Sequence, residues 1–167
     1  TGSAWASSAA AASGFTMGTV KATTSGTSNT WAGIPSGTTN IILSMHNAYN
    51  SGSVELKVQL GDSGGIETTS YKSYLLKITG PTTAYGDTSD SFKFPAADNG
   101  HSGHMQFTLV DSSTNTWSCT ALFRVANNVM SIHAGSKILS GELTQIQASL
   151  SSGAWSGVNG YINIQYS

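Results

Sequence analysis

Three short stretches of this chain carry residue types that could do chemistry. The first, Gly61-Asp62-Ser63-Gly64-Gly65, has the letters of a serine-protease nucleophile segment. An activated serine needs a histidine base, an aspartate to orient it and amides to hold the oxyanion. Ahead of Ser63 the chain offers one histidine, His46, and two carboxylates, Glu55 and Asp62, the latter being its own neighbour. The alternative is a glycine-rich turn at the end of a strand. There Asp62 accepts a bond from the backbone two residues on, and glycines take positive φ. We expect this structural turn of Gly61, Asp62, Ser63, Gly64 and Gly65. The second stretch, His101-Ser102-Gly103-His104, has two metal-ligand residues. Metal sites usually need three or four ligands, and three-residue spacing on a strand puts the two rings on opposite faces. The third group is the carboxylates. A glycosidase needs two at a set separation, and Glu67 with Asp87 or Asp90 is the pair to consider. Gly86-Asp87-Thr88-Ser89-Asp90 and Asp98-Asn99 supply oxygen ligands for Ca²⁺ but lack the spacing of a Ca²⁺ loop. The expectation is a protein that is not an enzyme, with no catalytic residues, no cofactor and no metal site.

The elements that must position such residues are strands. The 167 residues are 9% charged and 38% hydrophobic, with 19 glycines, against roughly 25% charged in an average domain. That length suits one domain. Serine, threonine and glycine are poor in helix interiors, so a polar but uncharged chain that folds is expected to form sheet. Residues 54–60 alternate without error: Val54, Leu56, Val58 and Leu60 on one face, Glu55, Lys57 and Gln59 on the other. Met105, Phe107 and Leu109 alternate with His104, Gln106 and Thr108. Trp117, Cys119, Ala121, Phe123 and Val125 alternate with Ser118, Thr120 and Arg124, with Leu122 on the second face. Ile162, Ile164 and Tyr166 alternate with Tyr161, Asn163 and Gln165. Residues 40–47, 71–79, 129–133 and 139–150 are further strands. The last changes face between Leu143 and Ile146, as a bulge or two strands would. Turn clusters separate these runs at 36–37, 50–52, 61–65, 80–81, 98–100, 127–128 and 151–153. About nine strands at this spacing predict an all-β fold, an antiparallel β-sandwich of jelly-roll type.

Residues 1–17 are rich in Ala and Ser and uncharged, and read as an N-terminal arm or linker ahead of a single sandwich domain over 18–167. Trp5 and Phe15 suit packing on a neighbouring subunit. The first residue is Thr1, consistent with a start inside a longer chain or after processing. A net charge of −1 leaves no basic footprint for nucleic acid. No run reaches the ~18 apolar residues of a membrane span. The single cysteine, Cys119, makes no internal disulfide, which points to oligomerisation as a source of stability. Turn-rich segments that carry aromatics can stack on sugar rings or anchor an interface. The candidate contact segments are 47–53, 85–89, 98–102 and 154–159. Within them the candidate receptor or ligand contacts are Tyr49, Asn50, Tyr85, Asp87, Asp98, Asn99, His101, Trp155 and Asn159.

Two long segments resemble a known family. One carries Ala22-Thr23-Thr24-Ser25-Gly26-Thr27-Ser28, Gly33-Ile34-Pro35-Ser36-Gly37 and Val58-Gln59-Leu60-Gly61-Asp62-Ser63-Gly64-Gly65-Ile66-Glu67-Thr68-Thr69-Ser70-Tyr71. The other carries Gly135-Ser136-Lys137-Ile138-Leu139-Ser140-Gly141-Glu142-Leu143-Thr144 and ends in Gly160-Tyr161-Ile162-Asn163-Ile164-Gln165-Tyr166. Together, over roughly 18–167, they resemble a domain of tailed-bacteriophage tail fibres and other virion proteins. The chain departs from that pattern at Thr38-Thr39-Asn40, where basic residues are usual, and over 149–158. The resemblance implies a β-sandwich virion component, most simply a tail-fibre or receptor-binding tip that adheres to a host-surface glycan or protein. It implies a homotrimer joined to other virion proteins through the arm, located on the extracellular particle after assembly in the bacterial cytoplasm. The alternatives are a capsid decoration or head-fibre protein and a carbohydrate-binding module.

Overall fold

The structure, a computed structural model, describes residues 14–52, 54–78, 83–85, 88–96, 100–126 and 129–167. The strands are β1 (Thr16–Met17), β2 (Lys21–Ala22), β3 (Ser28–Ala32), β4 (Asn40–Ala48), β5 (Leu56–Asp62), β6 (Gly65–Ile66) and β7 (Tyr71–Ile78). They continue with β8 (Thr83–Tyr85), β9 (Phe92–Phe94), β10 (His101–Asp111), β11 (Thr116–Ala126), β12 (Val129–Ile138), β13 (Gln145–Leu150) and β14 (Tyr161–Tyr166). No helix occurs among the described residues. Every strand pairing is antiparallel. One sheet of nine strands runs β1-β14-β4-β10-β11-β12-β7-β8 with β2 beside β14; a second of five runs β3-β13-β5-β6 with β9 beside β5. The strand count exceeds the expected nine because five of the strands are only two or three residues long. Such pieces are too short to show a period.

Alternation decides which side chains meet between the sheets. Ile41, Leu43 and Met45 of β4, Met105 and Phe107 of β10, and Trp117, Cys119 and Phe123 of β11 face Leu56, Val58 and Leu60 of β5, Phe92 and Phe94 of β9, and Ile146 and Ala148 of β13. All are buried, and each large aliphatic side chain removed from water stabilises the fold by about 1.5–3 kcal/mol. Leu122 lies on the outer face of β11, as its odd position in the pattern required.

Two expectations need correction. Residues 139–150 are not one strand: β12 continues to Ile138, and only 145–150 pair as β13. In the link between them, the Leu139 amide donates to the Asn115 carbonyl (3.1 Å), the Thr144 amide to Gly61 O (3.0 Å), and Ile34 N to Thr144 O (3.0 Å). Backbone groups from three parts of the chain, one of them in β5, satisfy this backbone, so Leu139 and Leu143 are buried without a ladder and the face changes before Ile146. The other correction is β3, which sequence reading missed because Trp31 is its only large apolar residue. At the N-terminal side, Thr16 and Met17 of the expected arm pair with Tyr166 and Gln165. Residues 1–13, including Trp5, lie outside the described residues, as do the turns at 80–81, 98–99 and 127–128.

Candidate functional site

The candidate segments at 47–53 and 154–159 meet at one end of the sandwich. The meeting starts at Asn47, whose φ of 45° is left-handed, a conformation asparagine tolerates better than most residues. Its amide donates to Ser102 Oγ (2.9 Å), and its carbonyl accepts from Tyr49 N (2.9 Å). The bend sends Asn50 across to Trp155, with which it forms an isolated antiparallel bridge. Ser51 N donates to Ala154 O (2.8 Å), Ser156 N to Tyr49 O (3.1 Å), Trp155 N to Gly26 O (2.8 Å) and Gly157 N to Thr23 O (2.7 Å). Gly160 is required at its place: a Cβ there would lie 2.2 Å from Thr23 Oγ1 and 2.3 Å from Asn47 O. These contacts tie three segments into one rigid rim.

The rim encloses a cleft of about 410 Å³ lined by Asn47, Tyr49, Asn50, Ser156, Gly157, Val158 and Asn159. None of these is charged. The Tyr49 ring is backed by Gly100, where a Cβ would come within 3.1 Å of the ring carbons and where φ is +73°. Asn50 is only 5% exposed, yet neither Oδ1 nor Nδ2 has a hydrogen-bond partner. Trp155 Nε1 and Thr23 Oγ1, behind the same rim, are also buried and unpartnered. A buried polar group left unsatisfied costs about 1–3 kcal/mol; His101 Nδ1, Trp117 Nε1 and Ser131 Oγ are likewise buried without a partner.

Among the candidate contacts, Tyr49, Asn50 and Asn159 line this cleft. Trp155 stands behind it, buried. His101 is buried as well, so it is not an exposed contact: Nε2 lies 3.2 Å from the Pro95 carbonyl and the ring meets Phe94 edge-on. Burial pushes its pKa down to about 4, against the opposing pull of the Pro95 and Ala48 carbonyls. Its neighbour in the motif, His104, is exposed. The backbone of Tyr85 lies in β8 opposite Leu75, with its side chain outside the description; Asp87, Asp98 and Asn99 lie outside the described residues. Among the described residues, no group of three or more His, Cys, Asp or Glu could hold a metal ion.

The Gly61–Gly65 stretch sits elsewhere, in the small sheet. Gly61 pairs with Ile66 and Asp62 with Gly65 across a tight hairpin, and Asp62 Oδ1 accepts the Gly64 amide at 2.7 Å. His46 is on β4 in the other sheet, its ring 3.1 Å from Asn47 Nδ2. What surrounds the hairpin is a clasp. Ser140 Oγ reaches Asp62 Oδ2 and Glu67 Oε1, each at 2.8 Å, and Ser140 N donates to Glu67 Oε1 (2.7 Å). Gln145 Nε2 donates to Asp62 O (2.7 Å). Lys137, almost wholly buried, forms an ion pair with Glu67 and lies over the Tyr71 ring at 5.3 Å. The Tyr71 hydroxyl accepts from Leu60 N (2.8 Å) and lies 2.9 Å from Glu67 O. Ser140, then the Gly64 amide, holds the Asp62 carboxyl below the usual range. Burial raises that of Glu67, but the Lys137 and Ser140 bonds outweigh it and leave it lowered. Asp90, the other candidate acid, is paired with Lys57 at 3.0 Å and Lys93 at 3.3 Å.

The clasp therefore joins the 58–71 and 135–144 segments. Sequence reading missed the roles of Lys137 and Ser140, since nothing local marks a partner some 70 residues away. It also missed a third cluster: His133 Nε2 lies 2.7 Å from Ser73 Oγ and Nδ1 is 3.8 Å from Cys119 Sγ, within the core. Burial pushes the His133 pKa down to about 4 and the Cys119 thiol up.

Comparison of the chain with protein-family models, with curated proteins and with solved structures returned no match.

Proposed function

We propose that this chain is a surface component of a tailed-bacteriophage particle, a tail-fibre or receptor-binding tip domain that adheres to the host. The observation that carries the reading is the cleft. Two loops chosen for their composition converge at one end of a rigid two-sheet scaffold, where binding loops are commonly presented. The virion assignment itself rests on the resemblance of 18–167 to fibre domains. The protein acts by adhesion: several weak sites on one particle supply a high effective concentration for each other. The jelly-roll reading of the sandwich belongs with this proposal, and the repeated passage of the chain from one sheet to the other supports it.

A homotrimer completes the reading, and the outer face of the large sheet supports it. Leu122, Ile132 and Leu76 stand opposite one another on β11, β12 and β7, with Met130 opposite Ile78 beside them. Leu122, Met130, Ile132, Ile78 and the nearby Tyr74 are exposed. The three strands that carry them, at roughly 4.8 Å spacing and about 25 Å of shared length, give on the order of 360 Å² of face. A standard interface takes about 800 Å² from each partner, so this face supplies a little under half of one subunit's share.

Imaging virions that carry a labelled copy of the chain tests the location. Label at the fibre tip is expected; label on the capsid shell alone overturns the adhesin reading. Light scattering on the purified chain at micromolar concentration tests the assembly. A trimer mass is expected, and a monomer overturns that part.

A further inference from the structure

We infer that the cleft between the 47–50 and 155–159 segments binds an uncharged saccharide. This deepens the adhesion reading and rests on it for biological meaning, while the chemistry rests on the cleft alone. Its volume, about 410 Å³, lies within the range of small-ligand sites. Among the described residues its walls carry amides, the hydroxyls of Ser156 and Tyr49, one aromatic ring and one aliphatic side chain, with no cation to meet a phosphate, sulfate or uronate. An anion entering it would lose hydration with no charge to replace it. A sugar ring presents an apolar face and a rim of hydroxyls, each a donor and an acceptor at once.

The cleft offers the complement of both. Tyr49 supplies a flat ring, and the backbone of Gly100 sits so close behind that ring that it is held in place before a ligand arrives, which lowers the entropy lost on binding. Asn159 supplies a carboxamide, with two donor hydrogens and an acceptor oxygen, and Ser156 a hydroxyl; the Asn47 side-chain amide already bonds the His46 ring and Ser102 Oγ. Asn50 shapes the wall with its amide buried behind it, and Asn159, exposed at the rim, is the carboxamide a ligand meets. A pair of adjacent hydroxyls satisfies a carboxamide at both ends. Val158, 86% exposed at the rim, adds apolar surface against which a second ring can lie.

The test is a titration of the full chain, followed by backbone amide NMR, with two matched sets of oligosaccharides. One set is neutral (glucose, galactose, mannose and N-acetylglucosamine oligomers) and the other acidic (glucuronate and galacturonate oligomers). Saturable shifts at Tyr49, Asn50 and Asn159 are expected with at least one neutral oligomer, with acidic counterparts at least tenfold weaker. Tyr49→Ala and Asn159→Ala should each weaken binding about tenfold while the remaining spectrum stays folded. Shifts with no oligomer, equal affinity for the acidic set, or shifts confined to another surface overturn the inference. Adsorption of the chain to host cells is measured in parallel. Sugar binding without adsorption sinks the adhesion reading and leaves this inference standing; adsorption that survives both substitutions, with no sugar bound, does the reverse.

Discussion

The clasp around Glu67 and the cleft beside Asn50 are built from different kinds of residue, charged in the one and uncharged in the other, and reach opposite ends. In the clasp, Asp62, Glu67, Lys137, Ser140 and Tyr71 satisfy one another, and even a Cβ on Gly141 would come within 2.9 Å of Asp62 Oδ2. In the cleft, backbone bonds hold the rim while Asn50, Trp155 and Thr23 keep polar atoms without partners. A closed network of charges resists opening, since each member is the solvation of another. The exposed side chains of the rim, Val158 and Asn159, are left open to solvent. The lesson is that the most motif-like stretch of the chain closes a structural hairpin, while the cleft lies between segments that carry no motif.

Removing one side of the Lys137–Glu67 pair should separate the two regions most strongly. Glu67→Gln leaves the buried Lys137 ammonium without its counter-ion. Stability in urea should fall by about 3–5 kcal/mol, with the cleft's ligand affinity unchanged below the unfolding transition. If affinity falls together with stability, the two regions are one cooperative unit and the contrast fails.

Acid should reach the histidines before the clasp. His101 and His133 are neutral in the fold with pKa values pushed down to about 4, while the unfolded chain binds a proton near 6.5. Their contribution is therefore complete above about pH 6.5 and is lost as pH falls towards 4, on the order of 3 kcal/mol for each. The lowered carboxyls of Asp62 and Glu67 give the same sign at lower pH: their stability is lost only as pH falls below the ordinary carboxylate range. Urea midpoints from pH 7.5 to 3 should show two steps. His133→Gln should shrink the upper step; an unchanged upper step would show that His133 does not cause it.

Gly100→Ala is expected to act on the cleft. It places a side chain at φ +73° against the Tyr49 ring, which costs about 1–3 kcal/mol. It should also move the ring, visible as a change in Tyr49 chemical shifts with the clasp resonances unmoved. The smallest effect on stability belongs to Val158→Ser. This exposed change should stay within about 0.5 kcal/mol in denaturation and still weaken oligosaccharide binding by titration.

The strand faces were legible because side-chain direction in a strand has a period of two and needs no partner to set it. Trp117, Cys119, Ala121, Phe123 and Val125 point inward and Leu122 outward for that reason alone. The hairpin at Gly61-Asp62-Ser63-Gly64-Gly65 was legible through its turn chemistry. The cleft was half legible: composition picked Tyr49, Asn50 and Asn159, but also His101, which the core absorbed. Its ring sits on the inward side of β10 where the strand shifts register between His101 and Gly103, and nothing in the local sequence announces that shift.

By itself, then, the sequence determined an all-β chain, the inner and outer faces of its long strands, and the turns between many of them. These depend on neighbours two or three positions away. Only the tertiary structure decided that Lys137 and Ser140 close on Glu67, that 139–144 is a link, and that Asn50 faces Trp155. Each depends on backbone groups brought together from distant parts of the chain, and local pattern carries no record of which distant group will arrive.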